Sequence, residues 1–410
     1  MTTLFPAMVG GRCFYPNEQS NVNSAWVGAR EGAHRQDASF CLCTTGSKLP
    51  LFVRLYSRES AAHHYGLALW PGTGLDHDPD CRYFSDDHAG GAGQEVKPAF
   101  AEQEDGSIRA HLAFSLKIAE SGLPAAVVAK STGATPKASR ARASESALLY
   151  RLWRTAALNV YRGHSRSWYK AAFSILKAAK QLVISRSGET LADFMLIASS
   201  ATDRMAIEHN QAVLAHAKVA PSRLLVVGRL RPFRREKQKI LLPLADVSGM
   251  PKTLVSLDRL DGLIGKRPFL QNLIADKSGH VVVLACIEPD GRDWWKVVLI
   301  TGIGTSLNMV PAESSFEIEF ENYLVDQGRR FIKPIAIDKL GEGEQRPDYI
   351  LLDTMPRVRC EVWGMRTPEY LADKARKLEE FRRKGQCVVC WSANPREPFP
   401  LLPVIQISGL

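Results

Sequence analysis

The stretch Pro347-Asp348-Tyr349-Ile350-Leu351-Leu352-Asp353, followed by Arg359-Cys360-Glu361-Val362-Trp363, decides how the chain is read. Each run is apolar in its middle and carries an acid near one end. The pair therefore predicts neighbouring strands with carboxylates close to their tips. Upstream, Ser314-Ser315-Phe316-Glu317 opens a helix through about Gly328, and Phe331 to Ile337 is strand-like. Downstream, Thr367 and Pro368 suit the cap and first turn of a helix to Lys384, and Gln386 to Trp391 is a buried-looking strand. Residues 311–410 thus give the order αβββαβ.

Two carboxylates on adjacent strand ends can share a divalent cation, which polarises a phosphodiester oxygen and acidifies a bound water. The hairpin is expected to set Asp348 opposite Trp363 and diagonal to Glu361, about 5 to 8 Å away. In the helix that follows, Tyr370, Leu371, Leu378 and Phe381 form an apolar stripe with Lys374 in its middle and Lys377 at its margin. An ammonium there either serves a site or snorkels past the stripe.

With Pro-Asp starting one strand and Glu-x-x one hairpin later, this order resembles the PD-(D/E)XK, restriction-endonuclease-like, nuclease superfamily over about a quarter of the chain. The resemblance implies Mg²⁺-dependent phosphodiester hydrolysis, with Asp348 and Glu361 as magnesium ligands. Trp363 stands where the motif has its lysine, so Lys374 takes that role from the helix. Glu317 corresponds to the first-helix acid that such enzymes often place near the metal. Ser314-x-x-Glu317 is also a capping box, and the residues themselves slightly favour the cap.

A second constellation lies near the amino terminus. Cys41-x-Cys43 sits in a strand-like segment, and after 33 intervening residues comes His77-x3-Cys81. Three thiolates and one imidazole suit a closed tetrahedral Zn²⁺ site, which supplies folding energy to a module short of core. The alternative is a set of buried apolar cysteines beside a surface histidine.

Between Ser146 and Gly188 the chain carries Arg151, Arg154, Arg162, Arg166, Lys170, Lys177, Lys180 and Arg186 with no acid at all. Two helices joined at Gly163-His164-Ser165, with Trp168 and Tyr169 among the basic residues, suggest a helix-turn-helix-like unit that contacts phosphates. A solvated face would normally intersperse acids.

The whole chain has 410 residues, 45% apolar and 23% charged, with 53 Lys and Arg against 43 Asp and Glu. That composition excludes a largely disordered chain, and the length calls for several cores. The basic balance admits a polyanionic partner such as DNA. No run approaches the roughly 18 apolar residues of a membrane span, so a cytoplasmic protein is expected. We read a multidomain α/β chain: a zinc-binding β-rich module at 1–122, a basic linker at 123–144, a basic helical domain at 145–222, a β-rich domain at 223–310 and the αβββαβ domain at 311–410.

Cys41-x-Cys43, the Pro71 to Gly74 turn before His77-x3-Cys81, and Glu361-Val362-Trp363-Gly364-Met365 followed by Pro368-Glu369-Tyr370 and Lys374 give the layout a second likeness. It resembles a bacterial family of unknown function carried by plasmids and integrative conjugative elements. That implies DNA as substrate class and conjugation or mobile-element proteins as partners. The expectation is a DNA-binding, metal-dependent nuclease. The other reading is a catalytically inactive zinc protein that binds DNA or a partner.

Overall fold

A computed structural model describes residues 4–20, 23–34, 39–44, 48–58, 61–70, 73, 76–77, 81–83, 99–103, 105–118, 142–235, 237–265, 267–291, 293–335, 346–365 and 367–406. The amino-terminal part contains β1 (Ala7–Val9), β2 (Arg12–Phe14), α1 (Ser24–Gly32), β3 (Ser39–Cys41), β4 (Leu49–Arg58) and β5 (Ala61–Leu69). Its strands pair antiparallel in the order β2-β1-β3-β4-β5, with α1 against β5. Phe14, Trp26, Leu51, Val53 and Leu67 are buried together with Cys41, Cys43 and Cys81 in one small core. The basic linker falls almost wholly outside the described residues; Ala143 bridges Leu112 and Ser144 begins the next helix.

The middle of the chain starts with β6 (Phe100–Glu102) and β7 (Ile108–Ala110), then α2 (Glu145–Thr155), β8 (Val160–Tyr161), α3 (Trp168–Ala179) and β9 (Leu182–Val183). Ser144 and Ser167 open the two helices by accepting hydrogen bonds from Ala147 and Lys170 N–H groups, satisfying donors the helices leave open. Strands β6, β7 and β9 form a small sheet. A helix-turn-helix needs a tight turn of about three or four residues between its helices. Here the connection contains β8, which leaves the helices to pair with the carboxyl-terminal sheet. The helix-turn-helix expectation is therefore corrected.

The expected boundary at residue 222 is corrected as well. The large sheet is built from β10 (Met195–Ile197), β11 (Leu224–Arg229), β12 (Lys239–Leu241), β13 (Lys252–Ser256), β14 (Gly279–Pro289), β15 (Trp294–Ser306) and β16 (Pro311–Ala312), and it draws β10 from the helical segment. Its order is β10-β11-β14-β15-β13-β12, with β16 on β15. One continuous core joins Leu148, Leu152 and Trp153 of α2 and Ala171 and Ile175 of α3 to Val226, Val283 and Ile303 of the sheet. The amphipathic helices have no other apolar surface to cover, so they cannot form a separate domain. Three helices that the periodicity did not reveal complete this unit: α4 (Arg204–Val219), α5 (Leu257–Gly265) and α6 (Pro268–Asp276). The segment 223–310 is thus mixed, not purely β.

The carboxyl-terminal elements are α7 (Ser315–Asp326), β17 (Phe331–Ile332), β18 (Tyr349–Leu351), β19 (Arg359–Trp363), α8 (Pro368–Arg383) and β20 (Val388–Ser392). This is the expected αβββαβ order. The sheet runs β20-β19-β18-β17-β8, parallel only between β19 and β20. Phe320, Trp391, Phe399 and Tyr349 pack on one face, where Phe320 stacks on Trp391 at 5.9 Å. Among the described residues, no helix is long and apolar enough to cross a membrane.

Candidate functional site

The β18–β19 ladder pairs Tyr349 with Cys360, and the Asp348 N–H also donates to the Cys360 carbonyl at 3.1 Å, so Asp348 sits beside Cys360 and Glu361. The sequence expectation put Trp363 there. The register is two residues shorter because the hairpin already closes at Leu351, whose N–H donates to the Val358 carbonyl at 2.8 Å. The two carboxylates are near enough for Asp348 to raise the Glu361 carboxyl. Helix α7 is drawn over the same place. A Cβ at Gly364 would meet the Phe316 ring at 2.6 Å, so only glycine lets the start of α7 pack so near the end of β19.

Three acids and two ammonium groups meet here. The Lys333 ammonium donates to Glu317 Oε2 at 2.8 Å and lies 3.5 Å from Asp348 Oδ1. Asp348 Oδ2 accepts from the Val362 N–H at 2.8 Å, and Lys377 donates to Glu361 Oε2 at 2.7 Å. Glu361 Oε1 is buried, and among the described residues it has no hydrogen-bond partner. Burial and the adjacent Asp348 push the Glu361 carboxyl up to about 7, against the pull of Lys377. Burial raises Glu317 as well, with Lys333 opposing. For Lys333, burial disfavours the charge, but Glu317 and Asp348 outweigh it and hold the ammonium above its ordinary range.

The structure thus gathers Glu317, Asp348 and Glu361, and adds two lysines, Lys333 and Lys377. Lys377, the marginal residue of the stripe, is the one that grips Glu361. The Lys374 ammonium instead sits 3.5 Å from the centre of the Trp363 ring. Trp363 is two residues beyond Glu361 on the same strand, so Lys374 brings a positive charge to the end of β19. Lys333 was missed altogether; its one signal is a lone lysine inside the apolar run Phe331 to Ile337. Ser314 does cap α7 through the Glu317 N–H, yet the Glu317 carboxylate reaches back to the Glu313 N–H and across to Lys333. It therefore serves the helix end and the cluster together. Asp353 is structural: it forms a buried ion pair with Arg329 and accepts from the Arg330 N–H.

One turn beyond Glu317, Glu321 is fully buried, and burial pushes its carboxyl up to about 8 while Ser306, Arg166 and Lys333 oppose the shift. The folded chain therefore keeps this proton to about pH 8, whereas the unfolded chain releases it near the ordinary 4.5. Because the folded state binds more protons between those values, stability falls as pH rises through them. Glu321→Gln keeps the shape without the charge. Thermal melts are expected to show wild type and variant equal near pH 5, and the variant ahead at pH 8 by roughly 2–4 kcal/mol. A difference that stays flat with pH would refute the assignment.

The amino-terminal cluster forms as read. Cys41, Cys43, His77 and Cys81 are all buried, and their ligand atoms lie within 4.8 Å of one another. Cys41 Sγ is 3.6 Å from Cys81 Sγ, and Cys43 Sγ is 3.3 Å from His77 Nδ1. A disulfide needs about 2.05 Å, whereas thiolates about 2.3 Å from a tetrahedral zinc stand roughly 3.8 Å apart. The geometry suits a metal such as zinc. The proximity of Cys43, with burial adding to it, pushes the Cys41 thiol up to about 12, so these sulfurs ionise together only with a cation among them. The side chains of His63 and His64, two further imidazoles of the same module, lie outside the described residues.

The basic region divides. Arg151 is buried, facing Glu102 at 3.5 Å and the Phe100 ring at 5.7 Å. Arg166 donates to the Ala157 carbonyl at 3.1 Å, and Arg154 and Arg162 also have partners. These arginines hold the fold. Lys170, Lys177 and Lys180 are exposed on α3, and among the described residues none of the three forms an ion pair. The charge count in the sequence could not separate these two groups, because burial depends on which helix face meets the sheet.

In comparison with known proteins, residues 10–393 match a family described as "Protein of unknown function (DUF1173)". No curated protein and no solved structure matches the chain.

Proposed function

The chain belongs to this family of unknown function, and we propose that it is a DNA-binding, metal-dependent nuclease of a bacterial mobile element. The observation that carries the reading is the meeting of Glu317, Asp348 and Glu361 with Lys333 and Lys377, where Glu361 Oε1 is buried without a partner among the described residues. A divalent cation such as Mg²⁺ held by Asp348 and Glu361 would supply polarisation of a phosphodiester oxygen and a more acidic water. The chain's own groups do the rest. Lys377 fixes one oxygen of Glu361 and leaves the other without a hydrogen-bond partner among the described residues. Lys333 neutralises Glu317 and Asp348 and sets their orientation. Lys374, steadied on Trp363, offers an ammonium to charge developing on the phosphoryl oxygens.

One observation favours a second reading. Lys333 already places a cation between Glu317 and Asp348, and Trp363 fills the lysine position, as in a site that binds DNA or a conjugation partner without cutting. Supercoiled plasmid incubated with Mg²⁺ or Mn²⁺ separates the two. Nicking by wild type, slowed about a hundredfold or more in Asp348→Ala and Glu361→Ala, supports the nuclease. Equal behaviour of all three proteins supports the binding module.

A further inference from the structure

Helix α3 carries an unusual outer face. Tyr169 and Phe173 are one turn apart, and both project from the protein with 55% and 53% of their surface in water. Lys177 and Lys180 continue the same face, and Lys170 adjoins Tyr169. Tyr169, Phe173, Lys177 and Lys180, with Leu176 and with Met205 of α4, which is 60% exposed, line a groove of about 180 Å³ between the two helices, and Lys170 lies outside that lining. That is below the roughly 300–1,000 Å³ of sites that enclose a whole small molecule, so the groove suits one part of a longer ligand.

Charge selects the kind of polymer. Helix α3 has no acid, and the one acid lining the groove, Asp203, is buried and accepts the Ala206 N–H at the start of α4. An apolar floor with aromatic rings and a rim of unpaired lysines matches a polyanion that also offers flat π-faces. Duplex DNA hides those faces inside its stack, whereas an unpaired strand exposes them.

Resting on the DNA reading above and deepening it, we infer that the α3–α4 groove binds single-stranded DNA, with bases stacked on Tyr169 and Phe173 and phosphates met by Lys170, Lys177 and Lys180. The five exposed basic residues Arg231, Arg234, Arg235, Lys237 and Lys239 are not needed for this, and Arg235 is already paired with Asp261. A protein that cuts or guides mobile-element DNA through an unpaired intermediate would need such a platform next to its basic surface.

The test uses the full chain without added divalent metal and without chelator, so that nothing is cut and the cysteine cluster is undisturbed. Fluorescence anisotropy is read with a labelled oligo(dT) of about 20 nucleotides and with a duplex of equal length. Wild type is expected to bind the single strand at least about tenfold more tightly. Tyr169→Ala/Phe173→Ala is expected to lose about tenfold or more on the single strand and less than about twofold on the duplex. Tyr169→Phe, which keeps the ring, retains binding. Lys177→Glu/Lys180→Glu weakens both ligands, since phosphates are common to them.

Unchanged single-strand affinity in the aromatic double variant, or an equal loss on both ligands, overturns the inference. So does a wild-type dimer that dissociates in that variant while DNA affinity stays, because the groove then belongs to a protein surface. Failure of wild type to bind either DNA overturns the broader nucleic-acid reading and this inference with it. A protein that binds the strand as described but never cuts DNA would sink only the nuclease.

Discussion

Cys81→Ser is expected to remove the metal from the amino-terminal sheet and, with it, the folded state of that sheet. Among the described residues, the buried core there is Ala7, Val9, Phe14, Trp26, Ala33, Leu51, Val53, Leu67 and Tyr83 beyond the three cysteines themselves. So few apolar side chains leave little surplus once the chain has been ordered. Binding of a structural zinc is worth about 10–16 kcal/mol in small metal modules, far above what this core supplies alone. Metal analysis of wild type is expected to give close to one zinc per chain. Cys41→Ser and Cys81→Ser are expected to lose it and to become protease-sensitive before residue 100, while the larger core stays resistant. Unchanged metal content in both variants would refute the site.

The second large effect concerns the rate of DNA cleavage. Loss of Asp348 or Glu361 removes an acid from the proposed cation site and is expected to slow plasmid nicking about 10²–10⁴-fold. Lys377→Ala touches only a partner of Glu361 and is expected to cost about 10–100-fold. That variant should stay folded. Stranding an ionised buried carboxylate would be severe, but burial and Asp348 hold the Glu361 carboxyl near 7, so a proton can replace the lost ammonium at small cost near neutral pH. The ranking is the content of the prediction. A loss at Lys377 as deep as that at Glu361, or intact nicking in Asp348→Ala, would overturn it.

The carboxyl-terminal order was legible because its punctuation is strong: Ser314, Thr367 with Pro368, and the Pro347-Asp348 start are each local signals with a physical cause. The cysteine and histidine cluster was legible for the same reason, since ligand chemistry survives any detail of the loops between. Register was not. Placing Asp348 against Glu361 depends on where Leu351 and Val358 close the hairpin, and Asp353 in that loop is held by Arg329 and Arg330 from another part of the fold. Lys333 was hidden because its partners, Glu317 and Asp348, come from a helix and a strand on either side of it. Helix α4 escaped notice because its buried residues, Ala206, Asn210, Val213 and Ala217, are small or polar and make a faint stripe. Arg151 and Lys177 look alike in sequence, and only the packing of α2 and α3 on the large sheet buries one and exposes the other.

The account depends most on the acid cluster accepting a divalent ion. Calorimetric titration of Mn²⁺ into the zinc-loaded chain tests this without requiring a DNA substrate. The account predicts a single saturable site in wild type that disappears in Asp348→Asn and Glu361→Gln while zinc content stays the same. The same isotherm in all three proteins would contradict it and leave the cluster to Lys333, between Glu317 and Asp348, and to Lys377 on Glu361.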